Sequence, residues 1–309
     1  RRAAVVGAGY IGLEMVDALR HRGIEVELFE QAPAVLPTVD VELGRLIGRE
    51  VERRGVRVST GVAVQEIRSG GDGLVVLDGT GAQAPVDMVL VVVGVRPDTA
   101  LGVAAGIETG VRGALRVDRE MRTNLPHVFA AGDCVETWHR LGGASYLPLG
   151  TTSHKQGRVA GENALGGHRR FEGSLGTQVV KVFDLAIART GWRDGEARAA
   201  GCRPRTVASS PNDHKAYYPG ASPLQIRVTG DVTDGRLLGA QIVGDYRAEV
   251  AKRIDVYATA LFHGMSVDGL SDLDLSYTPP LGSPWDAVQM AAQAWSAQTA
   301  LVREAVESA

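Results

Sequence analysis

A glycine-rich turn near the start of the chain restricts the fold most strongly. The sequence Gly7-Ala-Gly-Tyr-Ile-Gly12 stands between a short apolar run at residues 3–6 and a segment, residues 10–22, with apolar residues at helical spacing. Residues 24–30 then alternate with period two and end on an acid, Glu30. Strand, glycine turn, helix and second strand in this order predict a βαβ unit that binds a dinucleotide.

Each glycine of this motif has a mechanical role in such a unit. Gly7 permits the tight turn, Gly9 lets the backbone approach a diphosphate, and Gly12 lets the helix pack closely on the strand. Tyr10 and Ile11 begin the helix, whose first N–H groups have no intrahelical partner and are available to phosphate oxygens. A purely structural glycine turn is the alternative.

Glu30 ends the second strand, at the position where a carboxylate accepts hydrogen bonds from a ribose diol. The same carboxylate would repel a 2′-phosphate, so it favours NADH over NADPH. An arginine placed elsewhere in the site could reverse that preference. On this hypothesis, Glu30→Arg weakens NADH binding and improves NADPH binding.

The remaining pattern predicts an α/β protein with a parallel sheet followed by antiparallel strands. Residues 39–54 form a helix, and the apolar run 88–93 suits a central strand buried on both faces. A hairpin is expected across residues 62–77, and a further buried strand at 128–131. From about residue 173 antiparallel strands follow, with long helices at 246–265 and 285–306.

Composition excludes several classes of protein. Of 309 residues, 33 are Lys or Arg and 36 are Asp or Glu, so a net charge of −3 argues against nucleic-acid binding through bulk positive charge. Two cysteines, Cys134 and Cys202, do not form a disulfide framework or a CxxC pair, and no metal site is predicted. The apolar run 88–93 is far short of a membrane span of ~20 residues. We expect a cytoplasmic protein.

A second motif, Thr123-Asn-Leu-Pro-His-Val-Phe-Ala-Ala-Gly132-Asp133, places an acid directly after an apolar run. Taken alone, Asp133 reads better as a cap for the next turn. Together with the glycine turn and the segment Val93-Gly94-Val-Arg-Pro-Asp98, however, it resembles the FAD-dependent pyridine nucleotide-disulfide oxidoreductases. The resemblance implies two cofactors, FAD and NADH or NADPH, with Gly94 near the nucleotide and Gly132 and Asp133 at the flavin's ribitol.

In the same family a helix points its N-terminus at the flavin ring, and residues 148–162 are similar to that helix. The resemblance implies that Leu149, Thr151 and Thr152 lie at the flavin. A helix dipole in this orientation stabilises negative charge on the reduced ring. An ordinary packed helix is the alternative, and spacing alone does not separate the two.

The last third resembles the coenzyme A-disulfide reductase and NADH oxidase branch of the family, through residues 213–220 and 272–281. In this branch two interface-domain tyrosines reach into the partner subunit's active site. Tyr218 and Tyr277 are the matches, with Tyr217 an alternative to the first. A phenol there could donate a hydrogen bond to a thiolate or a peroxide-level oxygen. Surface or packing tyrosines are the other interpretation.

The resemblance divides the chain into a Rossmann-like nicotinamide-binding domain at 1–117, the closing part of a flavin domain at 118–172 and an α+β interface domain at 173–309. It implies a homodimer and a small-molecule acceptor: coenzyme A disulfide, peroxide or oxygen. Family members begin with a flavin-binding βαβ unit and a redox-active cysteine that do not precede Arg1, so we expect an internal cut. Cys134 and Cys202 lack that cysteine's context and are expected to be non-catalytic.

Three hypotheses follow from this reading. The first is an NAD(P)H:flavin oxidoreductase of the coenzyme A-disulfide type, whose cysteine-based centre is absent from this chain. The second is a nicotinamide-binding module without catalysis of its own. The third is a structural dimerisation fragment. On the first, the chain alone binds NADH, holds FAD poorly and shows no disulfide reductase activity.

Overall fold

The first part of the chain carries the predicted nucleotide-binding unit. The computed structural model describes residues 1–71 and 73–307. The elements of this part are, in order, β1 Arg2–Val6, α1 Tyr10–His21, β2 Glu25–Glu30, α2 Val41–Arg53, β3 Arg57–Thr60, β4 Val64–Gly70, β5 Gly73–Asp78, β6 Gln83–Val86 and β7 Met88–Val91.

Four of these strands form a parallel sheet in the order β3-β2-β1-β7. Helix α1 packs Leu13, Val16 and Leu19 into the core shared with the sheet, at the spacing that the sequence predicts. Because the strands are parallel, their carboxyl ends meet at one edge. That edge carries both the glycine turn after β1 and Glu30 at the end of β2.

Strands β4, β5 and β6 form a separate antiparallel sheet, and the pairing of β4 with β5 confirms the hairpin expected across residues 62–77. A small cluster that includes Val76 and Val86 packs this sheet against Ala4 and Phe29 of the parallel sheet. The antiparallel sheet thus lies beside the nucleotide-binding sheet and extends it with an additional layer.

Two strand predictions were wrong, one in the position of the strand within its sheet and one in the existence of a strand. The run 88–93 yields β7, which pairs with β1 at one edge of the four-stranded sheet that the described residues form, so it is not central. Val93 is 72% exposed. Residues 128–131 form no strand: Phe129 makes an isolated bridge with Arg122, and Val128 is exposed. Apolar runs report β-propensity, whereas burial depends on which neighbours cover them.

A middle segment connects the two sheet-containing parts. It contains α3 Ala100–Ala104, β8 Thr137–His139, β9 Gly143–Ser145 and α4 Gly150–Ala164. Helix α4 buries Thr152, Gln156, Val159 and Asn163, which recur at helical spacing. Its buried side lies against the small cluster around Met121.

The last part is built on a five-stranded antiparallel sheet in the order β10-β11-β14-β13-β12. Its elements are β10 Gln178–Val182, β11 Leu185–Gly191, α5 Asp194–Ala199, β12 Pro204–Ser209, β13 Gln225–Asp231, β14 Leu237–Asp245, α6 Val250–Phe262, α7 Val267–Ser271 and α8 Ala287–Glu307. The antiparallel strands and both long helices were predicted. Helix α6 is shorter than expected because Glu249 adopts a left-handed φ of 57° and Gly264 one of 66° beyond its other end.

The largest core lies between this sheet and helices α6, α7 and α8. Trp295 is 0% exposed and donates its indole N–H to Arg205 O at 2.8 Å. Tyr257 is also fully buried, and its hydroxyl donates to Val288 O at 3.2 Å. Each buried ring therefore keeps a partner for its one polar group. Over the described residues, no helix has the length and apolar character needed to cross a bilayer.

Candidate functional site: a dinucleotide cleft and a flavin-facing edge

The three glycines of the turn differ in what surrounds them. Gly7 has a φ of 103°, and a Cβ there would lie 2.5 Å from Val92 O. A Cβ at Gly12 would overlap the carbonyl oxygen of Gly7. At Gly9 a Cβ would have no heavy atom within 4 Å. The backbone therefore requires glycine at positions 7 and 12, whereas Gly9 leaves free space in front of the turn.

Glu30 is buried, at 7% exposure, and its carboxylate is already bound at both oxygens. Oε2 accepts the Ala8 amide at 2.8 Å and Oε1 accepts the Ala32 amide at 2.8 Å. Glu30 thus ties the glycine turn to the start of the next loop. A carboxylate offers about four lone-pair sites, so this leaves capacity for ribose hydroxyls.

This double role was not foreseen from the sequence, and it changes the meaning of Glu30→Arg. A guanidinium at this buried position would face two amide donors instead of pairing with them. Gln31 is exposed and lines the same cleft. A cation meant to attract a 2′-phosphate therefore belongs at position 31, where it does not disturb the turn.

The glycine turn and Glu30 open into a cleft of about 800 Å³ along the carboxyl edge of the parallel sheet. Leu13 donates the first helical hydrogen bond of α1 to Gly9 O at 3.0 Å. The amides of Tyr10 and Ile11 therefore precede the helical ladder at the cleft. Other lining residues are Pro37, Thr38, Val93, Gly94, Val95, Arg96, Arg112, Tyr146 and Pro148. Free amides, a carboxylate and open space at Gly9 fit a dinucleotide.

The second predicted nucleotide edge lies at Gly132 and Asp133. Gly132 has a φ of 90°, and its amide donates to Gln156 Oε1 at 3.0 Å. Asp133 is exposed, and its Oδ1 accepts a hydrogen bond from Ser153 Oγ at 2.7 Å. Both bonds join this turn to the first two turns of α4. Ser153 and Gln156 were not singled out from the sequence, although their i, i+3 spacing on the helix was visible.

The N-terminus of α4 holds the other residues assigned to the flavin. Leu149 precedes the helix, and Thr151 is exposed. Thr152 is buried instead, with Oγ1 at 3.0 Å from Ser174 Oγ. The Thr152 side chain therefore behaves as in an ordinary packed helix, and its backbone amide already donates to Leu149 O at 2.9 Å. The exposed oxygen of Asp133, the positive φ at Gly132 and the open helix end are compatible with a flavin, whose contacts stay a prediction.

The three candidate tyrosines lie on two loops of the last part of the chain. Tyr218 is 38% exposed, Tyr277 44% and Tyr217 73%. The rings of Tyr217 and Tyr218 lie 5.3 Å apart, and Lys215 N donates to Pro279 O at 3.4 Å, which links the two loops. All three side chains are partly or largely exposed, and none of them lines the dinucleotide cleft.

Both cysteines are free thiols of intermediate burial. Burial raises the pKa of the Cys202 thiol, and the negative charge of Asp231 raises it further, against a smaller opposing effect of Arg236. A raised pKa lowers the thiolate fraction, so Cys202 is a poor nucleophile. Cys134 Sγ donates to Ala131 O at 3.5 Å.

Comparison with known proteins matches both halves of the chain. Residues 1–157 match the family described as pyridine nucleotide-disulphide oxidoreductase, and residues 177–288 match the dimerisation domain of that family. An NADH oxidase of Methanocaldococcus jannaschii is 34% identical over 95% of this chain and 65% of its own length. A coenzyme A disulfide reductase of Staphylococcus epidermidis is 28% identical over 94% of this chain and 65% of its own length.

Solved structures share the fold. The NAD-dependent persulfide reductase from A. fulgidus superposes with a TM-score of 0.93 and 38% identity, covering 97% of this chain and 56% of that one. This chain thus spans roughly two thirds or less of the length of these proteins. The acceptors in their names differ, while the nucleotide in two of the three is NADH or NAD.

Proposed function

Because the chain belongs to the pyridine nucleotide-disulphide oxidoreductase family, we propose that it functions as an FAD-dependent NAD(P)H oxidoreductase similar to coenzyme A-disulfide reductases and NADH oxidases. When bound, FAD would accept hydride from NADH, and the electrons would continue to a cysteine-based centre other than Cys134 and Cys202. The names of the relatives favour this function over a non-catalytic nicotinamide-binding or dimerisation fragment.

The proposal rests on the combination of the glycine turn with Glu30, whose carboxylate is held by two backbone amides. The amides of Tyr10 and Ile11 bind the diphosphate, and the space in front of Gly9 admits it. The remaining lone pairs of Glu30 accept ribose hydroxyls, which favours NADH because a 2′-phosphate would meet a negative charge.

FAD supplies the two-electron chemistry of the reaction, and this chain supplies one side of its site. Asp133, whose Oδ1 accepts a hydrogen bond from Ser153 Oγ, would hold the ribitol by accepting hydrogen bonds from its hydroxyl groups. The N-terminus of α4, at Leu149 and Thr151, would face the ring, where the positive end of the helix dipole would stabilise negative charge.

The acceptor is a small molecule reduced at the cysteine-based centre: coenzyme A disulfide, peroxide or oxygen. In a homodimer, the hydroxyls of Tyr218 and Tyr277 reach the other subunit's centre and donate hydrogen bonds to a thiolate or a peroxide-level oxygen. Their exposure on two linked loops supports this role.

Titration of the 309-residue chain with NADH, followed by NADH fluorescence, tests the proposal. We expect saturable binding of NADH, weaker binding of NADPH, weak retention of FAD and no disulfide reductase activity from the chain alone. Absence of NADH binding by a folded chain would refute the proposed function. Stoichiometric flavin in the purified chain would contradict the expectation about FAD.

A further inference from the structure

The loop between β2 and α2, residues 31–40, forms one wall of the dinucleotide cleft through Pro37 and Thr38. Leu36, within it, is buried and holds a left-handed φ of 51°. Its amide donates to Ala8 O at 2.8 Å. A leucine in this conformation is strained, and such strain persists only where surrounding contacts hold it. The loop and the glycine turn are therefore mechanically joined.

The contacts that hold the loop come from strand β11 of the antiparallel sheet and from the residue that precedes α5. Arg193 Nη1 donates to Pro37 O at 2.9 Å and to Val39 O at 3.0 Å. Arg189 Nη1 donates to Thr38 O at 2.9 Å. Two guanidinium groups thus bind three consecutive carbonyl groups of the loop, and hydrogen bonds from charged donors are among the stronger ones in proteins.

The C-terminal end of the loop is held from the same sheet. The amide of Asp40 donates to Gln241 Oε1 at 2.7 Å, and Asp40 Oδ2 accepts from Arg227 Nε at 2.7 Å. The loop carbonyls and Asp40 together give the parallel and antiparallel sheets a polar, directional connection.

Glu196 of α5 orders both arginines. Its Oε2 lies 3.0 Å from Arg189 Nη2 and accepts the backbone amide of Arg193 at 2.8 Å. The Arg189 side chain is itself nearly buried, so its orientation is fixed by these partners. The arrangement is preorganised before any ligand arrives.

We propose that Arg189 and Arg193 are positioning residues for the dinucleotide site. They hold Leu36 against Ala8, and Ala8 in turn binds Glu30. The antiparallel sheet therefore sets the geometry of the turn that receives the diphosphate and of the carboxylate that receives the ribose. This inference rests on the proposed function, and it names residues more than 150 positions away in sequence from the glycine turn.

Affinity measurements on the 309-residue chain test the inference. Arg193→Met and Arg189→Met remove the donors while keeping much of the side-chain volume, and we expect each to raise the Kd for NADH by about three- to tenfold. Arg193→Lys keeps a cation that can reach both carbonyl groups, so its Kd should return toward the wild-type value. Arg198→Met, on the same helix as Glu196 but paired with Asp194, is the matched control and should leave the Kd unchanged.

The results separate the two proposals. If wild-type chain binds NADH and the folded Met variants bind within twofold of it, the positioning role is wrong. An equal loss in Arg193→Lys and Arg193→Met, or in Arg198→Met, would also overturn it. If the wild-type chain fails to bind NADH, the proposed function fails first.

Hydrogen exchange on the wild-type chain provides a second measurement that needs no variant. Bound NADH should slow exchange of the Leu36 and Asp40 amides, because the loop and the cleft are coupled. Unchanged exchange at both amides on NADH saturation would contradict the coupling even if the variants did not fold.

Discussion

Gly9 and Gly12, three positions apart in the turn, differ in whether the structure has space for a Cβ atom. Gly12→Ala places a methyl group on the Gly7 carbonyl oxygen, so α1 must move away from β1. We expect a loss of about 1–3 kcal/mol in the free energy of unfolding, together with loss of NADH binding. Denaturant unfolding and NADH titration of the same preparation measure both.

Gly9→Ala is the matched substitution, because its methyl group enters open space. It should leave the free energy of unfolding within about 0.5 kcal/mol of wild type and still weaken NADH binding, since the methyl stands where the diphosphate approaches. Unchanged affinity in Gly9→Ala would mean that the diphosphate does not lie in front of this turn.

Cofactor choice is also decided residue by residue. Gln31→Arg adds a cation at the mouth of the cleft without touching the bonds of Glu30, so NADPH affinity should rise several-fold relative to NADH. Gln31→Met is the uncharged control. Parallel titrations with the two nucleotides give the ratio, and an unchanged ratio would place the adenosine ribose elsewhere.

The sequence was sufficient to predict the glycine turn, because the spacing of Gly7, Gly9 and Gly12 is local. It was not sufficient for Glu30, whose two amide partners are settled only when β1 and β2 pair and the following loop folds back. Ser153 is a similar case, since its partner Asp133 is brought near by the packing of α4.

At the scale of elements, hydrophobic periodicity predicted the positions of helices and strands along the chain well, but it predicted their burial and their place in a sheet poorly. Helix α1 and strand β2 lie within a residue or so of their expected ends. The run that became β7 was expected to be central because it is apolar throughout, yet it ends its sheet. Order within a sheet depends on long-range pairing, which a local apolar pattern does not contain.

Glu196, in helix α5, leads to a prediction about how the stability of the protein depends on pH. Burial would raise the pKa of Glu196, but the charge of Arg189 and the hydrogen bond from the Arg193 amide outweigh it and hold the pKa below its ordinary value of 4.5. A group whose pKa is lower in the folded state than in the unfolded state stabilises the fold at pH values above its unfolded pKa. This contribution is lost as the pH falls through the folded pKa.

We therefore expect the stability difference between wild type and Glu196→Gln to shrink as pH falls from about 5 to about 3, by up to ~1 kcal/mol after solvent screening. Urea unfolding at several pH values measures it, with Asp194→Asn as the comparison on the same helix. A difference that stays constant with pH would show that folding does not lower the pKa of Glu196.

For the whole molecule, the match to a dimerisation domain leads to a prediction about assembly. Sedimentation at micromolar concentration should give a dimer. Tyr277→Phe should leave both the dimer and NADH affinity unchanged, while lowering turnover of the proposed FAD-dependent enzyme by ~10²-fold if the phenol donates a hydrogen bond during the reaction. A monomer in sedimentation would contradict the predicted dimer. Full turnover in Tyr277→Phe would contradict the proposed role of the Tyr277 hydroxyl.

The burial of Trp295 has a practical consequence for such experiments. All four tryptophans follow residue 117, and Trp295 sits in the largest core. Tryptophan fluorescence therefore reports unfolding of the middle and last parts of the chain, including Trp138 in β8, whereas fluorescence of bound NADH reports the nucleotide-binding part. Thermal unfolding of one sample, followed by both fluorescence signals, will show whether these parts of the chain unfold in one transition or in two.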